Sequence, residues 1–194
     1  MFFKAKIDYF FEAIRMASTQ KANQPGTPEM IYTSDEQGNL LDLESREILH
    51  LTVSSKLHAA VIGMIQRRDG RYLVQWRGAQ KLGGSRLDVS ATTHVRKGET
   101  YEDALQRSFR KELNIEEQVP LKHMFDFRYQ EELGDHKENE FCKVYLGKYD
   151  GVYEANPEEI DSVEWMTIYE MKDFVANNEK KATKWLRETV HRMN

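Results

Sequence analysis

Between His58 and Gln66 the chain reads HAAVIGMIQ, apolar on both sets of alternating positions, as a strand buried on both faces must be. Before it, MIYT and NLLDL flank DEQG, which predicts a hairpin. After it, RRDG turns the chain into RYLVQW, a second strand, and FDFRYQ and ENEFCKVYL read as two more. DVSATT is strand-like and runs through a Gly-containing turn into a helix, where Tyr101, Leu105, Phe109 and Leu113 recur on one face. WMTIYEMKDFV and KKATKWLRETVHR close the chain as a short strand and two helices. Strands and helices do not alternate regularly, so the expected class is α+β, within α/β in the broad sense, with a mixed β-sheet in an α-β-α sandwich.

The first residues follow another rule. Phe3, Ile7, Phe10, Phe11 and Ile14 are spaced for an amphipathic helix within residues 1–20. Pro25, Gly26 and Pro28 mark residues 21–29 as a linker, leaving 30–194 as one domain. The helix is expected to pack back on that domain, because its polar face is mixed in sign rather than basic.

Composition narrows the function. With 40% hydrophobic and 31% charged residues the chain is globular rather than disordered. Its net charge of −4 argues against a nucleic-acid partner. Lys4, Lys6, Asp8, Glu12 and Arg15 interrupt any secretory apolar core, and no run is long enough to span a membrane. The single cysteine, Cys142, permits no intramolecular disulfide and no thiolate zinc cluster. A cytoplasmic setting with no membrane partner is expected, and a homodimer is left open.

Candidate chemistry starts at Glu112. It falls on the apolar face of its helix, beside Ser108, where an ionised carboxylate needs a partner or a metal. An arginine at the rim would also satisfy it. In ENEFCKVYL, Glu138 and Glu140 share a face with Cys142, their Cα atoms about 6 to 7 Å apart at ~3.3 Å per residue. That is close enough to converge on one cation, although an exposed strand end reads the same way. His50, His58 and His94 stand at the ends of expected elements, and imidazole with carboxylate suits Zn, Mn or Fe. Arg77 and Lys81, in WRGAQK after a strand, would hold a phosphate group or lie in a solvated loop.

From about Met30 to Trp185 these residues resemble the Nudix superfamily, in the branch similar to type I isopentenyl-diphosphate isomerases. Against the box G-x5-E-x7-R-E-U-x-E-E-x-G-U, with U aliphatic, residues Thr93 to Ile115 keep Glu99, Arg107, Glu112 and Ile115. Thr93 and Asn114 replace glycines, Phe109 the aliphatic residue, and Ser108 and Lys111 two glutamates. The resemblance implies Mg²⁺ or Mn²⁺ held by Glu112 on a small-molecule diphosphate substrate. It also implies a second divalent ion, such as Zn²⁺ or Mn²⁺, at His50, His58, His94, Glu138 and Glu140. Arg46, Arg77 and Lys81 match basic residues that grip a diphosphate, and Tyr129 and Trp185 match pocket aromatics. The catalytic candidates are Glu140, Glu138, Glu99 and Tyr129. Thr92 stands where the isomerases carry their acid–base cysteine, and an alcohol is a poor substitute for a thiol near neutral pH. The expected activity is therefore metal-dependent hydrolysis of a diphosphate bond in a nucleotide or related organic diphosphate. The alternatives are an isomerase-like enzyme, or a degenerate domain that binds a diphosphate ligand or a protein partner.

Overall fold

A computed structural model describes residues 28–51 and 56–193, so the expected N-terminal helix and nearly all of the expected linker lie outside the described residues. Glu29, at the end of that linker, is tied into the domain by ion pairs to Arg46 and Arg96.

The chain opens on an antiparallel hairpin of β1 (Met30–Ser34) and β2 (Leu40–Ser45). Asp35 sets its turn, accepting hydrogen bonds from the amides of Gln37 and Asn39. A single-turn helix, α1 (Arg46–Leu49), follows and ends on His50. The apolar run predicted to be a central strand is β3 (His58–Gln66). It pairs in parallel with β8 (His136–Lys148) along its whole length and antiparallel with β6 (Ala91–His94), and at its ends meets β1 and β4 (Tyr72–Arg77). β5 (Leu87–Asp88) and β9 (Ile160–Met166) flank β4, and β7 (Leu121–Leu133) forms a long hairpin with β8.

Alternate residues of β3 face opposite layers, as strand geometry requires. Ala59, Val61 and Ile65 pack against α2 (Tyr101–Leu113), and Ala60, Ile62 and Met64 face α3 (Ile168–Asn177) and α4 (Lys184–Arg192). The expected α-β-α sandwich is present. Gly63 lies where α2 approaches most closely, and a Cβ there would stand 2.7 Å from both Leu105 and Phe109 side-chain carbons. Gly63→Ala is expected to cost about 1–3 kcal/mol by overpacking, read as a lower urea midpoint at unchanged slope.

Two local features depart from the sequence expectation or explain it. DVSATT is not one strand. The chain leaves β4 after Asp88 and joins β3 from Ala91, with Ser90 as the pivot. Its hydroxyl donates to the Leu73 carbonyl and accepts from the Ile65 amide, tying β4 to β3 at the crossing. Asn114, which replaces a glycine of the box, ends α2 with φ 51°, a left-handed cap that Asn tolerates better than most residues.

Candidate active site

The topology gathers five residues at one end of the sheet. His58 opens β3, directly opposite Glu140 of β8, and His94 ends β6 opposite Ala60 of β3. Glu138 lies two residues before Glu140 on the same face of β8, and His50 caps α1. Both glutamates are buried, so the ENE segment is not an exposed strand end.

Two of the imidazoles are oriented by backbone carbonyls. His50 Nδ1 donates to the Arg46 carbonyl at 2.6 Å, and His58 Nδ1 to the Lys56 carbonyl at 3.2 Å. Each therefore turns Nε2 inward, the arrangement that fixes a ligand tautomer. The three ring centroids lie 4.9, 5.0 and 5.2 Å apart. Glu138 Oε2 lies 3.1 Å from His50 Nε2 and 3.6 Å from His58 Nε2. Even so, all three atoms are buried without a hydrogen bond of good geometry, a costly state unless something else satisfies them. One ligand atom from each of His50, His58, His94 and Glu138 fits within 4.8 Å of the others. The donor set and the orphaned atoms fit a divalent transition metal.

Charge supports that fit. Burial alone would raise the Glu138 carboxyl, but His50 and His58 outweigh it and hold the group well below the usual carboxylate range. Burial lowers His50, yet Glu138 more than offsets this and leaves it raised. His94 is lowered by burial despite the opposing hydrogen bond to Glu140.

A cleft of about 340 Å³ opens beside this cluster. His94, Glu138 and Glu140 line it, while His50 and His58 are buried behind them. Glu140 pairs with His94 at 2.9 Å, stands 3.9 Å from His58, and accepts from the Cys142 thiol. Tyr129 also lines the cleft and is hydrogen-bonded to Glu140. Burial, with the charges of Glu140 and Glu138, pushes its phenol well up, so it acts as a neutral donor. Thr92 faces the cleft with its hydroxyl on the Val61 carbonyl. Cys142 is fully buried in the core, and its thiol is pushed well up by burial and by Glu140. No described thiol lines the cleft.

The other expected residues are dispersed around the same cleft. Glu112 is buried on α2 as its position predicts, but stands outside the His cluster. Its Oε1 accepts from Ser108 and its Oε2 from Gln75, with Lys81 Nζ at 3.4 Å. Arg77 is buried, bonded to Asp88 at 2.6 Å and to the Leu82 carbonyl, with its guanidinium 5.2 Å above the Trp185 ring. Neither Arg77 nor Lys81 lies in a solvated loop. Arg46 is half exposed at the mouth, paired with Glu29.

Glu99, a catalytic candidate from the sequence, is held by its neighbours. Arg107 holds both its oxygens, at 2.5 and 2.9 Å, and the Arg96 amide bonds to one of them. The carboxylate therefore braces the loop before α2 and is not part of the cleft wall. Burial would raise its pKa, but Arg107 holds it below the ordinary value of 4.5. A depressed carboxylate stabilises the fold above its unfolded pKa, and that contribution is lost as pH falls through the folded value. Glu99→Gln is expected to cost about 2 kcal/mol at neutral pH. In urea unfolding the difference from wild type should shrink as pH falls below the ordinary 4.5.

Two residues at the site escaped the sequence reading. Asp88 is fully buried beneath Arg77 and Trp185, and an acid within the apolar run LDV was a signal of the kind Glu112 gave. Glu159 lines the cleft between Lys81 and Lys111, but its segment, NPEEID, reads as an ordinary polar loop.

Known proteins resemble this chain in sequence and in fold. The isopentenyl-diphosphate Delta-isomerase of Serratia proteamaculans is 31% identical over 159 residues, spanning 81% of this chain and 87% of that protein. The isopentenyl-diphosphate Delta-isomerase 1 of Aromatoleum aromaticum is 28% identical, over 85% of this chain and 92% of its own. Among solved structures, DR0079 from Deinococcus radiodurans superposes with a TM-score of 0.69 at 25% identity, covering 84% of this chain and 98% of that one. A MutT NUDIX hydrolase from Burkholderia pseudomallei, 18% identical, shares the fold with a TM-score of 0.57 over 71% of this chain and 98% of its own. The NUDIX domain family matches residues 56–190, and the chain belongs to that family.

Proposed function

We propose that the protein is a divalent-metal-dependent hydrolase that cleaves the diphosphate bond of a small organic diphosphate, a nucleotide or a related compound. The observation that carries this reading is the cleft wall. It joins a buried His/Glu cluster suited to a metal ion to basic side chains, and it offers Thr92 where carbon acid–base chemistry would need a thiol. The curated relatives are isopentenyl-diphosphate isomerases. Where the resemblance to that family implies an acid–base cysteine, this chain has Thr92.

His50, His58, His94 and Glu138 would hold the metal. When bound, such an ion polarises phosphoryl oxygens and makes bound water more acidic. The chain's own residues do the rest. Lys81 and Arg46 neutralise non-bridging oxygens of the diphosphate, whose leaving oxygen gains negative charge as the bond breaks. Arg77 forms the buried cationic floor beside Trp185. Glu140, steadied by the Tyr129 hydroxyl, accepts the proton of the attacking water, a general-base role suited to a carboxylate at the cleft wall.

Oxygen-18 water tests this directly. The protein, supplied with Mn²⁺, is given nucleoside di- and triphosphates and nucleotide-sugar-type diphosphates. The expected result is two phosphate-bearing products, with a single heavy oxygen on one of them, and loss of the reaction in Glu140→Gln. If the whole panel is left uncleaved, the hydrolase reading is wrong.

The isomerase relatives favour a second reading, in which Glu140 and Tyr129 move protons at an allylic carbon. Thr92 stands against it.

A further inference from the structure

The second feature of the cleft is a charge cluster on the side away from the histidines. Glu112, from the last turn of α2, and Glu159, just before β9, both face Lys81. Lys81 Nζ lies 2.7 Å from Glu159 Oε2 and 3.4 Å from Glu112 Oε2. Lys111 Nζ lies 2.5 Å from Glu159 Oε1, Ser108 donates to Glu112 Oε1, and Gln75 donates to Glu112 Oε2. Every oxygen of the two carboxylates is thus occupied by a donor of the chain itself. The contrast with the His cluster is sharp, since there His50 Nε2, His58 Nε2 and Glu138 Oε2 have no hydrogen-bond partner.

The charges also balance. Two carboxylates meet two ammonium groups, and Lys81 and Glu159 keep only 17% and 14% of their side-chain surface exposed. A divalent cation placed there would have to displace Lys81 or bring excess positive charge into a poorly hydrated site, which is unfavourable. The residues around Glu112 therefore do not fit a metal ion, although the box helix to which it belongs led us to expect one.

We infer that the Lys81 ammonium takes the place of a divalent cation between Glu112 and Glu159, so that the chain binds a single such ion, at His50, His58, His94 and Glu138. Lys81 is then a built-in cation at the cleft wall at any metal concentration, its charge shared with Glu112 and Glu159. Glu112 positions that cation rather than a metal. The inference concerns metal content and does not depend on the hydrolase reading.

The test is a count of Mn²⁺ per chain by equilibrium dialysis and elemental analysis. Wild-type protein is expected to bind one ion, Glu138→Gln none, and Glu112→Gln one. Lys81→Gln replaces the ammonium by a neutral oxygen donor between two carboxylates, a set suited to Mn²⁺, and is expected to bind a second ion. The double variant Lys81→Gln, Glu112→Gln should return to one. In Lys81→Gln the freed carboxylates repel each other, so added Mn²⁺ should raise its thermal midpoint more than it raises that of wild type. Two ions in wild type, one of them lost in Glu112→Gln, would overturn the inference. So would a folded Lys81→Gln protein that still binds one. If Lys81→Gln does not fold, the comparison of wild type with Glu112→Gln decides alone. A chain that binds one ion and cleaves nothing keeps this inference and loses the hydrolase proposal.

Discussion

Glu138→Gln is expected to strip the protein of its metal and to lower turnover by about 10³-fold, if the ion supplies roughly 4 kcal/mol of transition-state stabilisation at ~1.36 kcal/mol per tenfold. The physical reason lies in the geometry of the cluster. Among the described residues Glu138 is the only carboxylate within the 4.8 Å ligand group, and its charge would offset that of a cation held by three imidazoles. Gln keeps the shape and removes the charge. The same cluster sets a pH dependence. Coordination needs a free Nε2 lone pair, and Glu138 holds the His50 pKa above its ordinary 6.5. Below the raised value His50 stays protonated, and Mn²⁺ affinity is expected to fall by about tenfold per pH unit. In the metal-free protein the sign is opposite for stability. A raised His contributes most below its unfolded pKa, and that contribution is lost as pH rises through the folded value. Metal titrations and urea melts at several pH values would show the two trends crossing.

Asp88→Ala is expected to be the most destabilising single change, about 3–5 kcal/mol, because it leaves a buried cation without its partner. Asp88 Oδ2 accepts from Arg77 at 2.6 Å. Its Oδ1 accepts from the Trp185 indole, the Thr183 hydroxyl and the Val89 amide. Arg77 and Asp88 are both buried, so water cannot replace the lost bonds. The indole and hydroxyl bonds also fasten the start of α4 to β5, and Trp185 is a wall of the cleft. Asp88→Asn keeps an acceptor for Trp185 and Thr183 and removes only the charge, so its loss should be smaller. Urea unfolding of the two variants measures the ion pair separately from the helix anchor. If both variants cost under about 1 kcal/mol, the network is not what holds α4 in place.

The sandwich was legible because β3 is apolar on both faces and α2 on one, and burial leaves that mark on composition. The parallel pairing of β3 with β8 was not legible, since a local pattern records what a strand buries and not which strand lies beside it. DVSATT shows the same limit, as its residues all suit strands but change partners at Ser90. For the site, Glu138 and Glu140 could be placed on one face by counting, and the structure puts three histidines from three other elements around them. Glu112 was legible as a buried carboxylate in need of a partner. What its partner is depends on Lys81, from the loop after β4, and on Gln75 from β4 itself. Helical periodicity carries no trace of either. The bracing role of Glu99 was likewise hidden, because its spacing to Arg107 suits a catalytic pattern and an ion pair equally well.

On the proposed function this cleft breaks a bond to phosphorus and does not move protons on carbon. One sample in deuterated buffer decides it. The protein, with Mn²⁺, is incubated with a mixture of nucleotide diphosphates and isopentenyl diphosphate, and the ion is chelated before spectra are recorded. Phosphorus spectra should show cleavage of a P–O–P bond that disappears in Glu138→Gln, while proton spectra of the isopentenyl chain stay unchanged. Alkene migration or deuterium uptake at carbon, with every diphosphate intact, would exclude the hydrolase and return Thr92 to the centre of the chemistry.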